Sequence, residues 1–294
     1  MVISERVLAE QRPPSFEEPR KNCPLCGSDR ISFFHRDYRG ISIFRCRTCH
    51  VQFMNPFYTD DHLREYYSHY TDDGFKPGEE EAELYCHDYY LSLVERFSPG
   101  SPGRLLDVGT GAGLLLKAAQ RRRWQAVGYD VDPSTVQKVG SKLNVEIRTG
   151  SFNAMAWPAN HFDAAIMHHV LEHVKDPRSY LDTIRKTLRP GGILLIVIPN
   201  LASVSSSLKR WMEKARLRRK RVGAYYDTPH HLLYFSPASL RAFLRRSGFE
   251  VQLMRSGHQA RPFQSRQARW LMRHVTERLP WKSTVLVLAR KPSS

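Results

Sequence analysis

Arg104-Leu-Leu-Asp-Val-Gly-Thr-Gly-Ala-Gly-Leu-Leu-Leu116 is the stretch whose reading decides the fold. Leu105, Leu106 and Val108 make a short apolar run that predicts a buried strand. Glycines at 109, 111 and 113 follow at once, and Leu114 to Arg123 continues as a helix. A strand that turns on glycines into a helix brings bare backbone against a ligand.

Downstream, strands and helices alternate, the pattern of a parallel sheet covered by helices. Arg104–Gly109 is the first predicted strand; Ala126–Asp130, Val145–Arg148, Phe162–His168 and Ile193–Pro199 follow it, then Phe249–Met254 and Thr284–Ala289, making seven. Asp132-Pro133, Asp176-Pro177 and Ser236-Pro237 each supply a capping side chain and a first-turn proline for a helix. Arg189-Pro190-Gly191-Gly192 reads as a turn before the fifth strand.

The glycine pattern tests the ligand. A dinucleotide fingerprint G-x-G-x-x-G needs a third glycine at position 114, which is leucine; the chain has G-x-G-x-G instead. Asp130, twenty-one residues after Gly109 at the end of the second strand, sits where a carboxylate accepts hydrogen bonds from ribose hydroxyls. These residues predict a ligand with a ribose but without a pyrophosphate held as in NAD.

Upstream, Cys23-Pro-Leu-Cys26-Gly and Cys46-Arg-Thr-Cys49-His form two C-x₂-C pairs separated by nineteen residues. This is the spacing at which two knuckles supply four thiolates to one tetrahedral zinc, and four thiolates leave no open position, so the metal is expected to be structural. Two disulfides are the alternative; they are disfavoured in a chain that shows no secretion signal and is expected in the cytoplasm. His50 is a possible substitute ligand, and Cys86 is expected to be a packed thiol. Residues 1–21, with Pro13, Pro14 and Pro19, are expected to form a flexible arm, 22–57 the ribbon, and 58–100 a tyrosine-rich helical linker or lid. Within the last, Ala82, Tyr85, Tyr89, Leu93 and Phe97 recur at helical spacing. The break Ser98-Pro-Gly-Ser-Pro-Gly103 opens the main domain, 101–294.

LLDVGTGAG, VGYDVDP, FDAAIMHHVLEHVKDP, LRPGGILLIVIPN and HLLYFSPASLRAFLRRSGFEV together resemble the class I S-adenosylmethionine-dependent methyltransferase family, over roughly Arg104 to Arg290. The resemblance implies an α/β, Rossmann-like, seven-stranded methyltransferase sheet with helices on both faces, preceded here by the zinc ribbon and helical lid. It implies S-adenosylmethionine as cofactor, with Asp107, Gly109, Gly111 and Gly113 around its methionine portion and Asp130 on the ribose. Ser151 and Phe152 fall where the family contacts adenine, although the acidic residue common there is missing. His168 and His169 would flank the sulfonium and the acceptor. The N-terminal half also resembles a ribbon-bearing subset whose members act on sugars, lipid-linked glycans or secondary metabolites.

Methyl transfer needs a base only where the acceptor holds a poorly acidic proton. His168, His169, His173, His230 and His231 are the candidates, with His169 and His231 preferred; His173 and Glu172 read as structural. Tyr225–His231 is expected to wall the acceptor site.

The formal charge of +16 is concentrated. Residues 1–100 carry −5, 101–200 carry +5, and 201–294 carry +16. Ser205–Arg221 sets Leu208, Trp211, Met212 and Ala215 amid eight Lys or Arg residues, and Arg261–Lys282 repeats the pattern. These basic insertions, at about 203–230 and 258–282, suit an anionic membrane surface, a phosphate backbone, or a solvated face. The longest apolar run, Ile193–Ile198, is far short of the ~20 residues of a membrane span. A small-molecule or lipid-linked glycan acceptor, as the ribbon-bearing resemblance implies, is the first expectation, with peripheral membrane contact through the basic segments. An RNA methyltransferase is the second, weakened because the fourth strand ends in Met-His-His and not in the Asn-Pro-Pro-aromatic motif of exocyclic-amine enzymes. A non-enzymatic cofactor-binding scaffold is the third.

Overall fold

The computed structural model describes residues 13–37, 40–68, 78–98, 100, 102–204, 207–208, 211, 230–256 and 284–293. The first twelve residues of the expected arm, Tyr225–Pro229 of the expected acceptor wall, nearly all of the basic segment 205–221 and all of 261–282 lie outside them.

The seven-stranded sheet consists of β4 (Arg104–Val108), β5 (Gln125–Tyr129), β6 (Ile147–Arg148), β7 (Phe162–His168), β8 (Leu188–Pro199), β10 (Glu250–Ser256) and β11 (Thr284–Arg290). Their order is β10-β11-β8-β7-β4-β5-β6, with β11 antiparallel to both of its neighbours and the other pairings parallel. All seven expected strands are present. The third is shorter than expected, because only Ile147 and Arg148 reach β5. The Arg-Pro-Gly-Gly turn lies inside β8 as a bulge: Phe162 faces Leu188, yet Ala164 already faces Ile193.

Alternation along each central strand divides the core into two layers. Leu106, Val108, Ala165, Met167, Leu194, Ile196 and Ile198 face one side. Leu105, Ala164, Ile166, Ile193, Leu195 and Val197 face the other. The first layer is covered by α5 (Pro177–Thr187) and α6 (Pro237–Arg246), the second by α2 (Glu79–Phe97) and α3 (Leu114–Arg121). The caps expected from sequence are made: Asp132 accepts from the Ser134 and Thr135 amides to start α4 (Pro133–Leu143), Asp176 from Ser179, and Ser236 from Ser239.

Helix α2 buries only part of the stripe expected: Leu93 is buried and Phe97 packs on the same core, but the rest of the inner face is made by other residues. Leu84, His87, Leu91 and Val94 point inward, while Ala82, Tyr85 and Tyr89 are half-buried. A reading that counted only apolar residues passed over His87. Cys86 is packed in the same layer. Arg122 of the turn after α3 pairs with Glu95, and Lys117 with Glu80 at 2.7 Å, fastening α2 along its length.

The N-terminal sheet has four strands, β1 (Ile31–Arg36), β2 (Ser42–Cys46), β3 (Gln52–Met54) and β9 (Leu233–Tyr234). The fourth comes from beyond the fifth strand of the main sheet, with Gln52 opposite Tyr234 and Phe53 opposite Leu233. Consequently Phe53, Met54 and Phe57 share one core with Leu181, Ile184, Leu232 and Phe235. Residues 15–20, expected to belong to a flexible arm, are instead paired with 55–59. The Glu17 amide donates to Phe57 O, the Thr59 amide to Ser15 O, and Asn55 exchanges hydrogen bonds with the Arg20 backbone. Pro13, Pro14 and Pro19 favour the extended backbone that such pairing needs.

Candidate functional site

The glycine turn is closed by the strand beside it. The amides of Gly109 and Thr110 both donate to Tyr129 O, at 2.7 and 3.0 Å, and the Gly111 amide donates to Asp130 Oδ2 at 2.8 Å. The other Asp130 oxygen accepts from the Asp132 amide. Asp130, expected only as a ribose contact, therefore also fixes the loop. Gly109 (φ 82°) lies so close to Val170 that a Cβ there would run into Val170 Cγ2. Gly111 (φ 49°) is the opposite case: a Cβ would meet nothing within 4 Å, so the loop presents backbone to open space.

Asp107 sits at the floor of this space, 2 % exposed, and its Oδ2 has no hydrogen-bond partner among the described residues. Burial, aided by the nearby Asp130 carboxylate, pushes its pKa up to about 8. Burial also raises Asp130. A buried and a half-buried carboxylate beside an open glycine turn are complementary to a ligand that brings hydroxyl donors and positive charge. The residues thus fit the ribose, ammonium and sulfonium of S-adenosylmethionine.

Of the two residues expected at the adenine, Ser151 is exposed and Phe152 is 1 % exposed. The Phe152 ring stacks on Tyr180 at 4.7 Å and packs against Tyr129 and Trp157. Its side chain is committed to this aromatic cluster, so a contact from position 152 to a ligand has to come from the backbone.

The carboxyl end of β7 gathers the histidines. His168 packs against His87 and Tyr90 of α2, with ring centroids 5.1 and 5.4 Å away, and burial holds both imidazoles neutral, that of His87 at about 4. His169 follows in the left-handed region (φ 56°), its amide bonded to Val197 O. That backbone turn brings its Nδ1 to 3.0 Å from Oε1 of Glu172, a residue 1 % exposed. The His169 side chain itself is 34 % exposed. His173 is turned inward, its Nδ1 bonded to His230 O, and burial lowers its pKa. His231 is buried against His173, ring centroids 4.6 Å apart. His230 stacks on Tyr66 and approaches His62 at 3.1 Å between Nε2 atoms, both from α1 (Asp60–Ser68).

The sequence candidates thus separate into two groups, His168 with His169 and His173 with His230 and His231. His62 and His87 belong to the site as well and were not foreseen. The signal for His87 was its place on the inner stripe of α2; for His62 no local signal existed.

The four cysteines converge. Cys23 Sγ lies 3.6 Å from Cys49 Sγ and Cys26 Sγ 3.6 Å from Cys46 Sγ, with all four sulfurs within 4.8 Å of one another and none in a disulfide. Four sulfurs at about 2.3 Å from one ion have edges of roughly 3.8 Å, so the cluster has the size of a tetrathiolate zinc site. The hydrogen bond shared by Cys23 and Cys49 holds Cys23 well below the usual thiol range and pushes Cys49 up. Gly27 (φ 74°) and His50 (φ 62°) occupy equivalent left-handed positions after each pair, and exposed His50 is outside the cluster. The amides of Met54 and Leu232 link this module to the site, donating to Leu232 O and Glu172 O.

Comparison with known proteins agrees with this geometry. A family profile described as a methyltransferase domain matches residues 81–253. The ubiquinone biosynthesis O-methyltransferase of Xylella fastidiosa is 29 % identical over 184 residues, 60 % of this chain and 72 % of that enzyme. The enzyme of the same description from Cereibacter sphaeroides is 34 % identical over 97 residues, 31 % of this chain, and the chain spans only 39 % of its length. A SAM-dependent methyltransferase from Archaeoglobus fulgidus shares the fold, with a TM-score of 0.50 at 16 % identity over 71 % of this chain and 94 % of that one. No described helix is long and apolar enough to cross a membrane.

Proposed function

Because this chain belongs to the class I S-adenosylmethionine-dependent methyltransferase family, we propose that it methylates a hydroxyl oxygen of a small or lipid-linked acceptor, with His169 as the base. The observation that carries the reading is the His169–Glu172 pair at 3.0 Å, which brackets the Val170 contact with the glycine loop. Bound S-adenosylmethionine supplies an electrophilic methyl group on a sulfonium. Asp107 and the Gly111 turn hold its methionine end, and Asp130 accepts from the ribose hydroxyls. If Nδ1–H is donated to Glu172, Nε2 of the partly exposed His169 side chain is left to take the acceptor proton, and Glu172 stabilises the imidazolium that results. His231, the other imidazole expected as base, is buried behind His173 and is assigned the wall of the acceptor pocket.

The O-methyltransferase relatives support an oxygen acceptor, and their ubiquinone-pathway names accord with a lipid-linked one. A sugar hydroxyl on a lipid-linked glycan remains the first choice of acceptor from the ribbon-bearing resemblance, and the basic segments 205–221 and 261–282 would bring the enzyme to an anionic membrane. The four-cysteine cluster holds structural zinc in this reading and shapes the acceptor side through β3 and β9.

The test is release of S-adenosylhomocysteine with phenolic, glycosidic and polyprenyl-linked acceptors and with RNA. His169→Ala should lower kcat by roughly 10²–10⁴-fold with an alcohol acceptor and far less with an acidic phenol that ionises unaided. Equal losses with both acceptors would remove the base assignment, and turnover of RNA alone would remove the acceptor class.

A further inference from the structure

Helix α2 brings a second set of donors to the pocket, distinct from the His169–Glu172 pair. Glu83 and His87 are four residues apart and so share a helix face, and His168 meets them from the end of β7. One ligand atom from each lies within 4.8 Å of the others. His87 is 6 % exposed, and its Nδ1 has no hydrogen-bond partner among the described residues. Leaving a buried imidazole nitrogen unpartnered carries a desolvation penalty that nothing offsets. An apolar side chain at this position of α2 would avoid that cost, so packing alone does not account for His87.

We propose that Glu83, His87 and His168 bind a divalent transition-metal cation. Two imidazoles and one carboxylate form a donor set that suits zinc, cobalt or ferrous iron and discriminates against calcium and magnesium, which take oxygen. Three protein donors leave at least one coordination position open, unlike the closed shell of the four cysteines. The His168 ring lies 4.7 Å from that of His169, so an ion held here would stand close to the base. An oxygen there would be polarised, which rests on the acceptor-pocket reading; the ion site itself does not.

The test uses the full-length protein with its cysteine site loaded with zinc, titrated with Co²⁺ and followed by visible absorption. One further equivalent of cobalt should bind, giving d–d bands without thiolate charge-transfer absorption. Glu83→Gln and, separately, His87→Ala should each weaken that binding at least tenfold, and half-buried Glu83→Gln should do so with the thermal melt kept, so that loss of the site is not loss of the fold. Absence of cobalt binding beyond the cysteine site, or binding that survives both substitutions, overturns the proposal. So does binding abolished only by Glu172→Gln, which would place the ion on the neighbouring Glu172–His173–His231 group. No readout here depends on methyl transfer, so failure of this site is separable from failure of the acceptor reading.

Discussion

Asp107 makes cofactor binding a proton-linked event. In the ligand-free protein its carboxyl is held near pKa 8 by burial and by Asp130, against an ordinary value of 3.8. Between those two values the folded chain carries a proton that the unfolded chain has lost. Stability of the free protein should therefore fall as pH rises through that window. Cofactor binding has the opposite sign, because a ligand bearing ammonium and sulfonium charge favours the ionised carboxylate. If only that form binds tightly, affinity should rise about 25-fold (~1.9 kcal/mol) from pH 6 to 7.5, and about 0.9 proton should be released per ligand at pH 7. Buried His87 and His168 are already neutral across this range and add nothing to the slope. Isothermal titration with S-adenosylmethionine in buffers of different ionisation enthalpy measures both quantities. Asp107→Asn should bind more weakly at pH 7.5 and lose most of the slope. A wild-type affinity that is flat from pH 6 to 7.5 with no proton release, or an unchanged slope in the variant, would refute the reasoning.

Three further outcomes follow from the same geometry. Gly111→Ala should cost only about 1–2 kcal/mol of stability for its left-handed backbone, yet lower cofactor affinity sharply because its Cβ enters the open space. Gly109→Ala should instead destabilise the fold outright through Val170, and thermal melts beside titration distinguish the two. Removing metal from the cysteine site, or Cys46→Ser, should loosen β3 and with it β9 and the His230–His231 segment. Because misplacing an acceptor by about 1 Å costs on the order of 100-fold in rate, kcat/KM for the acceptor should fall that far while cofactor Kd stays within about twofold. A parallel loss of both would mean that the module supports the whole fold and not the acceptor side.

The sequence by itself determined what depends on neighbours along the chain. Seven apolar strands, three capped helices, the G-x-G-x-G turn with Asp130, and two C-x₂-C pairs are all written within short windows, because strand period, capping and knuckle geometry are local. Family membership was legible for the same reason. Tertiary structure alone decided the rest. It placed β9 beside β3 across some 180 residues, and it turned Phe152 into an aromatic core where a ligand contact had been expected. It also chose His169 over His231 for the exposed partner of Glu172. His87 reached His168 because α2 lies along α3, fastened by Glu95 and Glu80. Such contacts join residues tens of positions apart, and which of several equivalent imidazoles ends exposed, paired or enclosed is set by how layers pack, which no local periodicity records.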